Sequence, residues 1–253
     1  MPEMRFTYNA YVGYLKLLKT AGYSLTRFQD ARTSMEPKAI IRHDIDLSPK
    51  SALKMAELDY ENGCLATYFV LISSTFFNLL DKDNEASILK IASLGHEIGL
   101  HFDVTKYADA DGNALQAAIE REIDLLSAII GKPVKSMSWH IPRRDLIGKR
   151  LPFLEEQGIL NAYDPEFFDG YKYCSDSMMR WRDPLVDYVD CVRYPKLQVL
   201  THPISYAEEE RSDIFKLGAA FIERQTELIE YLERNRPGIS EFVEAATLKA
   251  GDI

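Results

Sequence analysis

Between residues 39 and 206, short runs rich in β-branched and aromatic side chains alternate with longer amphipathic runs, and this alternation constrains the chain more than any other feature. Repeated strand–helix units demand a parallel sheet, because each helix carries the chain back before the next strand can form. Strands are predicted at Ala39 to Asp46, Cys64 to Ile72, His96 to Asp103 and Val134 to Ile141, and near Leu160 to Tyr163, Ser177 to Trp181 and Leu197 to His202. Helices are predicted over Tyr8 to Ala21, Ser48-Pro49 to Glu61, Glu85 to Leu94, Asn113 to Ile130, Leu151 to Gln157 and Ser212 to Arg234. Ser48-Pro49 is a cap and first-turn pair, and Gly63 and Gly131 stand where helices stop. The expected class is α/β, closed as a barrel or open and doubly wound. No GxGxxG or Walker loop follows the first strand, which counts against a nucleotide-binding open sheet.

No repeat, low-complexity tract or Gly/Ser linker divides the 253 residues, so a single domain is expected. Residues 1–38 form its N-terminal helical extension, 39–206 its core and 207–253 its C-terminal helix. The formal net charge of −9 argues against nucleic acid or an anionic membrane surface as the main partner, leaving small molecules and carbohydrates. No apolar run approaches the roughly 18 residues of a membrane helix. Met1-Pro2-Glu3-Met4-Arg5-Phe6 lacks a basic-then-apolar leader, and Cys64, Cys174 and Cys191 show no CxxC or finger spacing. A reducing, cytoplasmic location is the expectation.

In parallel α/β folds, reactive groups sit at the carboxyl ends of strands, where loops converge over one mouth. The first strand ends Arg42-His43-Asp44-Ile45-Asp46, the third His101-Phe102-Asp103, the fourth Ser138-Trp139-His140 and the last Leu200-Thr201-His202. Four of the five histidines therefore fall close to a strand end, and the fifth, His96, opens the third strand. Period-two alternation places Asp44 and Asp46 on one face and His43 on the other. His101 and Asp103 likewise share a face, opposite that of His96. Carboxylates and imidazoles converging on one point form a divalent site suited to zinc or a similar transition metal. His43 and His96, pointing away from the mouth, are expected to be buried and hydrogen-bonded. Tyr163-Asp164-Pro165 is either a rim loop or an ordinary turn.

His43-Asp44-Ile45-Asp46, then Gly95-His96-Glu97-Ile98-Gly99-Leu100-His101, then Leu200-Thr201-His202 resembles the polysaccharide deacetylase (NodB homology) superfamily over residues 39 to 206. The chain looks closest to a WbmS-like branch linked with surface-polysaccharide gene clusters. The resemblance implies a distorted (β/α) barrel of about seven strands and a metal-dependent amidase that removes an acyl group from an N-acylated sugar. Carried over, Asp44 is the general base, Asp46 and His101 are metal ligands, and His202 is the general acid.

The chain departs from that pattern at Thr105, where the resemblance implies a second histidine ligand. His140 is the first choice for the third ligand and Asp103 the second. The arginine that should steady the catalytic aspartate has to be Arg42, Arg143 or Arg144. Ser175-Asp176-Ser177 and Trp181 are either a substrate wall or core packing. The expected function is removal of an acetyl or formyl group from an amino sugar, carried on a nucleotide or lipid during surface-polysaccharide assembly, with a divalent ion, best matched by zinc, as cofactor. The alternatives are a non-catalytic carbohydrate- or partner-binding barrel and, less favoured, a metal-dependent phosphoesterase.

Overall fold

A computed structural model of the chain describes residues 4–108, 110, 112–239 and 241. It divides into two compact units, Met1–Arg211 and Ser212–Ile253. Among the described residues the first unit holds eight strands: β1 (Ser24–Thr26), β2 (Lys38–Ile45), β3 (Thr67–Val70), β4 (Glu97–Phe102), β5 (Ser136–Trp139), β6 (Leu160–Asn161), β7 (Lys172–Ser175) and β8 (Lys196–Thr201). Its helices are α1 (Tyr8–Thr20), α2 (Pro49–Glu61), α3 (Lys82–Ser93), α4 (Gly112–Ile130), α5 (Pro152–Glu156) and α6 (Pro165–Phe168). The second unit's described part is α7 (Asp213–Asn235), capped by Ser212, whose side chain accepts from the Phe215 amide. Of the region expected to be a C-terminal helix, residues 242–253 lie outside the described residues, as do Met1, Pro2 and Glu3 of the expected leaderless start.

Every strand pair is parallel, in the order β6-β5-β4-β3-β2-β8-β7, with β1 paired to the start of β2. Among the described residues the edge strands β6 and β7 do not pair with each other, so the curled sheet is a distorted (β/α) barrel. Long side chains fill its interior. Phe28, from the turn after β1, packs edge-on against Phe69 at 5.5 Å and Phe167 at 5.1 Å. The segment read as an N-terminal extension thus supplies both an extra strand and part of the barrel filling.

Helix starts follow the sequence signals. Ser48 caps α2, accepting from the Ser51 amide, with Pro49 in the first turn. One strand needs correction: the run at Ser177 to Trp181 is not a strand. β7 lies earlier, at Lys172–Ser175, and Ser177–Met179 is a short 3-10 turn with Met178 and Met179 at φ 61° and 50°. Left-handed residues cannot continue an extended strand, so pairing stops before them.

Two glycines in the Gly95 to His101 string have separate reasons. Gly95 sits at φ +95°, in the turn that starts β4. Gly99 lies under the Phe69 ring: an added Cβ would stand 2.5 Å from two ring carbons and 2.7 Å from Ser136 Oγ. Gly99→Ala forces that ring to shift and should destabilise the protein by about 1–3 kcal/mol. Calorimetry should register a fall in thermal midpoint of about 2–4 °C per kcal/mol.

Candidate functional site

Asp44 lies on β2 and Asp46 just beyond it, His101 lies on β4, and His140 and His202 each stand one residue past β5 and β8. All five come to the carboxyl end of the sheet. Alternation on β2 works as the sequence implies. Arg42 and Asp44 meet inside the barrel, while His43 turns to Tyr11 and Asp59 of the helices outside.

Asp46, His101 and His140 each present a ligand atom within 4.8 Å of the others. Asp46 Oδ1 is 3.2 Å from His101 Nε2 and 3.3 Å from His140 Nδ1, and the two nitrogens are 3.2 Å apart. Donor atoms this close can share one divalent ion. Two imidazole nitrogens converge on the buried Asp46 Oδ1, which among the described residues has no hydrogen-bond partner besides them. That donor set fits a divalent cation.

Burial opposes ionisation of Asp46, yet the imidazoles of His101 and His140 and the charge of His202 hold its carboxyl well below the usual range. Burial also opposes charge on His140, and Asp46, then Asp103 and Asp44, raise its pKa above the ordinary imidazole value. Asp103, the other candidate ligand, is turned aside: its Oδ1 accepts from the Thr105 amide at 2.9 Å and from the Thr105 hydroxyl at 2.6 Å.

Ser138 orients the His101 ring. Its Oγ is 2.7 Å from His101 Nδ1, so with Nε2 facing the triangle the Nδ1 proton is donated to Ser138. Ser138→Ala should weaken zinc binding by about tenfold, measurable by competition with a chromogenic chelator.

Asp44 is gripped by Arg42, whose Nε donates to Oδ1 at 3.2 Å and whose terminal nitrogen donates to Oδ2 at 2.7 Å. The guanidinium carbon stands 5.1 Å from the Phe69 ring centre and 5.5 Å from that of Tyr163, and another nitrogen donates to Gln198 Oε1 at 3.0 Å. Burial would raise the Asp44 pKa, but Arg42, then His101 and His202, hold it below the ordinary carboxylate value. The steadying arginine is thus Arg42; Arg143 donates instead to the Ala108 carbonyl and to Asp145.

His202 is paired with Asp176. Its Nδ1 donates to Oδ1 at 2.6 Å, and its amide donates to the same carboxylate at 3.0 and 3.1 Å. Nε2 faces the mouth, 3.8 Å from Asp46 Oδ2. Burial disfavours the imidazolium, but Asp176, then Asp46 and Asp44, raise its pKa to about 9. At neutral pH the ring is charged and can give up a proton. From the sequence, Asp176 is either a substrate wall or core packing, and neither reading includes this pairing. The sequence separation of 26 from His202 hides the pairing.

The remaining histidines are spent. His96 Nδ1 accepts from the Ala66 amide and its Nε2 donates to the Ala56 carbonyl, and burial pushes its pKa down. His43 is fully buried among Asp59, Tyr11 and Thr201. Trp181 packs edge-on against Tyr14 at 6.1 Å.

No family model matches the chain, and no curated protein does. Among solved structures, it is similar to the catalytic domain of a peptidoglycan N-acetylglucosamine deacetylase from Eubacterium rectale, at 13% identity and TM-score 0.48, over 77% of this chain and 87% of that one. A polysaccharide deacetylase from Bacillus cereus is similar at 16% identity and TM-score 0.44, over 75% and 87%. A CE4 family pseudoenzyme from Bacillus anthracis follows at 12% and 0.42, over 75% and 60%. None of these likenesses assigns a role to a residue here.

Proposed function

We propose that the protein is a metal-dependent hydrolase that removes an N-acyl group, acetyl or formyl, from an amino sugar. The observation that carries this reading is the meeting, at one mouth, of a three-ligand triangle, an arginine-held carboxylate and a carboxylate-held imidazolium. The motif resemblance to polysaccharide deacetylases, and to their WbmS-like branch, points the same way.

Asp46, His101 and His140 would hold the ion, and zinc is proposed for it on this Asp/His/His donor set. When bound, such an ion polarises an amide carbonyl and acidifies water. Asp44, ionised and fixed by Arg42, accepts the proton of the attacking water as its oxygen bonds to the carbonyl carbon. His202 delivers its Nε2 proton to the amide nitrogen as the C–N bond breaks, leaving a carboxylic acid and a free amine. Asp176 holds the ring so that Nε2 faces the mouth.

The substrate is proposed to be a nucleotide- or lipid-linked sugar of surface-polysaccharide assembly. Arg144 follows His140 by four residues, and Arg180 and Arg182 follow Asp176 by four and six, cations of the kind that bind a diphosphate. Arg144, Arg180 and Arg182 are exposed. A cytoplasmic location is proposed on the three unpaired cysteines. Among the described residues, no helix is long and apolar enough to cross a membrane. Zinc-loaded protein incubated with N-acetylated and N-formylated sugar nucleotides and lipid-linked sugars should release acetate or formate, and a chelator should stop it. No release from any of them would overturn the proposal.

A further inference from the structure

A second cluster of titratable groups lies on the outer face of β2 and β8, unused by the proposed chemistry. Thr201 Oγ1 is 2.7 Å from His43 Nδ1, and His43 Nε2 is 2.9 Å from Asp59 Oδ2. Asp59 also accepts from the Tyr11 hydroxyl at 2.5 Å and the Tyr68 hydroxyl at 2.6 Å. Hydroxyl, imidazole and carboxylate in that order are the parts of a nucleophilic triad. Burial excludes that use: Thr201 is 1% exposed and His43 and Asp59 are 0% exposed, so no carbonyl can reach the hydroxyl.

The cluster's place in the sheet suggests another role. His43 and Thr201 are register partners, and theirs is the last pair of the β2–β8 ladder. The next residue on each side is a mouth residue, Asp44 after His43 and His202 after Thr201. Neighbouring strand residues share a backbone and point to opposite faces, so a twist at either outer residue displaces its inner neighbour. The His43 ring cannot give way. Asp59 of α2 holds one nitrogen, and Tyr68 of β3 stacks on the ring at 4.4 Å.

We infer that Asp59, His43 and Thr201 are positioning residues that fix the spacing of Asp44 and His202 through the last rung between β2 and β8. This rests on the roles proposed above for Asp44 and His202. Thr201→Val keeps the shape and removes the hydroxyl, and Thr201→Ser restores it. In zinc-loaded full-length protein, Thr201→Val should lower kcat by at least about tenfold, since small misplacements of reacting groups are costly. KM and zinc content should stay unchanged, and Thr201→Ser should recover most of kcat. Tyr68→Phe, which removes one donor to Asp59, should lower kcat less and serves where Thr201→Val does not fold.

A readout independent of activity is the downfield proton resonance of the His202 Nδ1–H donated to Asp176. It should shift or broaden in Thr201→Val and return in Thr201→Ser. Unchanged kcat and an unmoved resonance in Thr201→Val would overturn the inference. If the wild-type protein releases no acyl group, the proposed function falls, and an unmoved resonance alone overturns the positioning role.

Discussion

Asp46→Ala or His101→Ala should strip the protein of stoichiometric zinc and lower acyl release on the order of a thousandfold, the largest effect expected here. A catalytic zinc typically rests on three protein ligands, so two leave it weakly held. Asp46 contributes more than one contact. Its Oδ1 stands 3.2 and 3.3 Å from the two imidazoles, and its removal leaves the two ring nitrogens 3.2 Å apart with no carboxylate between them. Metal analysis after dialysis, alongside acyl release, checks this. His140→Ala is the sharper variant, because it should lose zinc as completely as His101→Ala, whereas full retention would hand the third position to another residue. Absence of bound metal in the wild-type protein under every loading condition would favour a non-catalytic binding barrel of the same fold.

The parts of this site readable in the sequence are those that alternation or a strand end exposes. Asp44, Asp46 and His101 follow from strand position, and His140 from its place at the end of the fourth predicted strand. Arg42 is one of the three arginines the sequence offers beside Asp44, and equal parity on β2 is what brings these two onto one face. What stayed hidden depends on contacts between distant segments. The Asp176–His202 pair spans 26 residues, and Asp59 on α2 meets Tyr11 on α1 and Tyr68 on β3 only once the helices pack on the sheet. β1 is three residues long, too short to show a period. Ser177 to Trp181 reads as extended until the left-handed pair at Met178 and Met179 is known, and no side-chain pattern announces it.

Asp176→Asn should produce the second large effect, visible in the pH profile as well as the rate. The raised pKa of His202, about 9, is set against burial first and by Asp176 foremost among the charges that overcome it. A raised histidine pKa keeps the ring protonated below that value, so the proton for the departing amine is available at neutral pH and is lost as pH rises through about 9. A bound dication nearby would move this limb downward from about 9. Asparagine removes the charge and leaves at most a neutral partner for Nδ1, so the folded pKa falls and the alkaline limb moves toward the ordinary imidazole value. The same shift bears on stability: while the carboxylate is ionised the ion pair contributes fully below the unfolded imidazole pKa and is lost as pH rises through the folded one, so Asp176→Asn should cost most stability at about pH 6 and least above about pH 9. We expect kcat near neutral pH to fall by about 10²-fold, in the range of general acid catalysis, with zinc content unchanged because Asp176 touches none of the three ligands. Measuring kcat across about pH 6 to 10 separates this from simple disruption. A uniformly lowered profile with an unmoved alkaline limb would remove His202 as the acid.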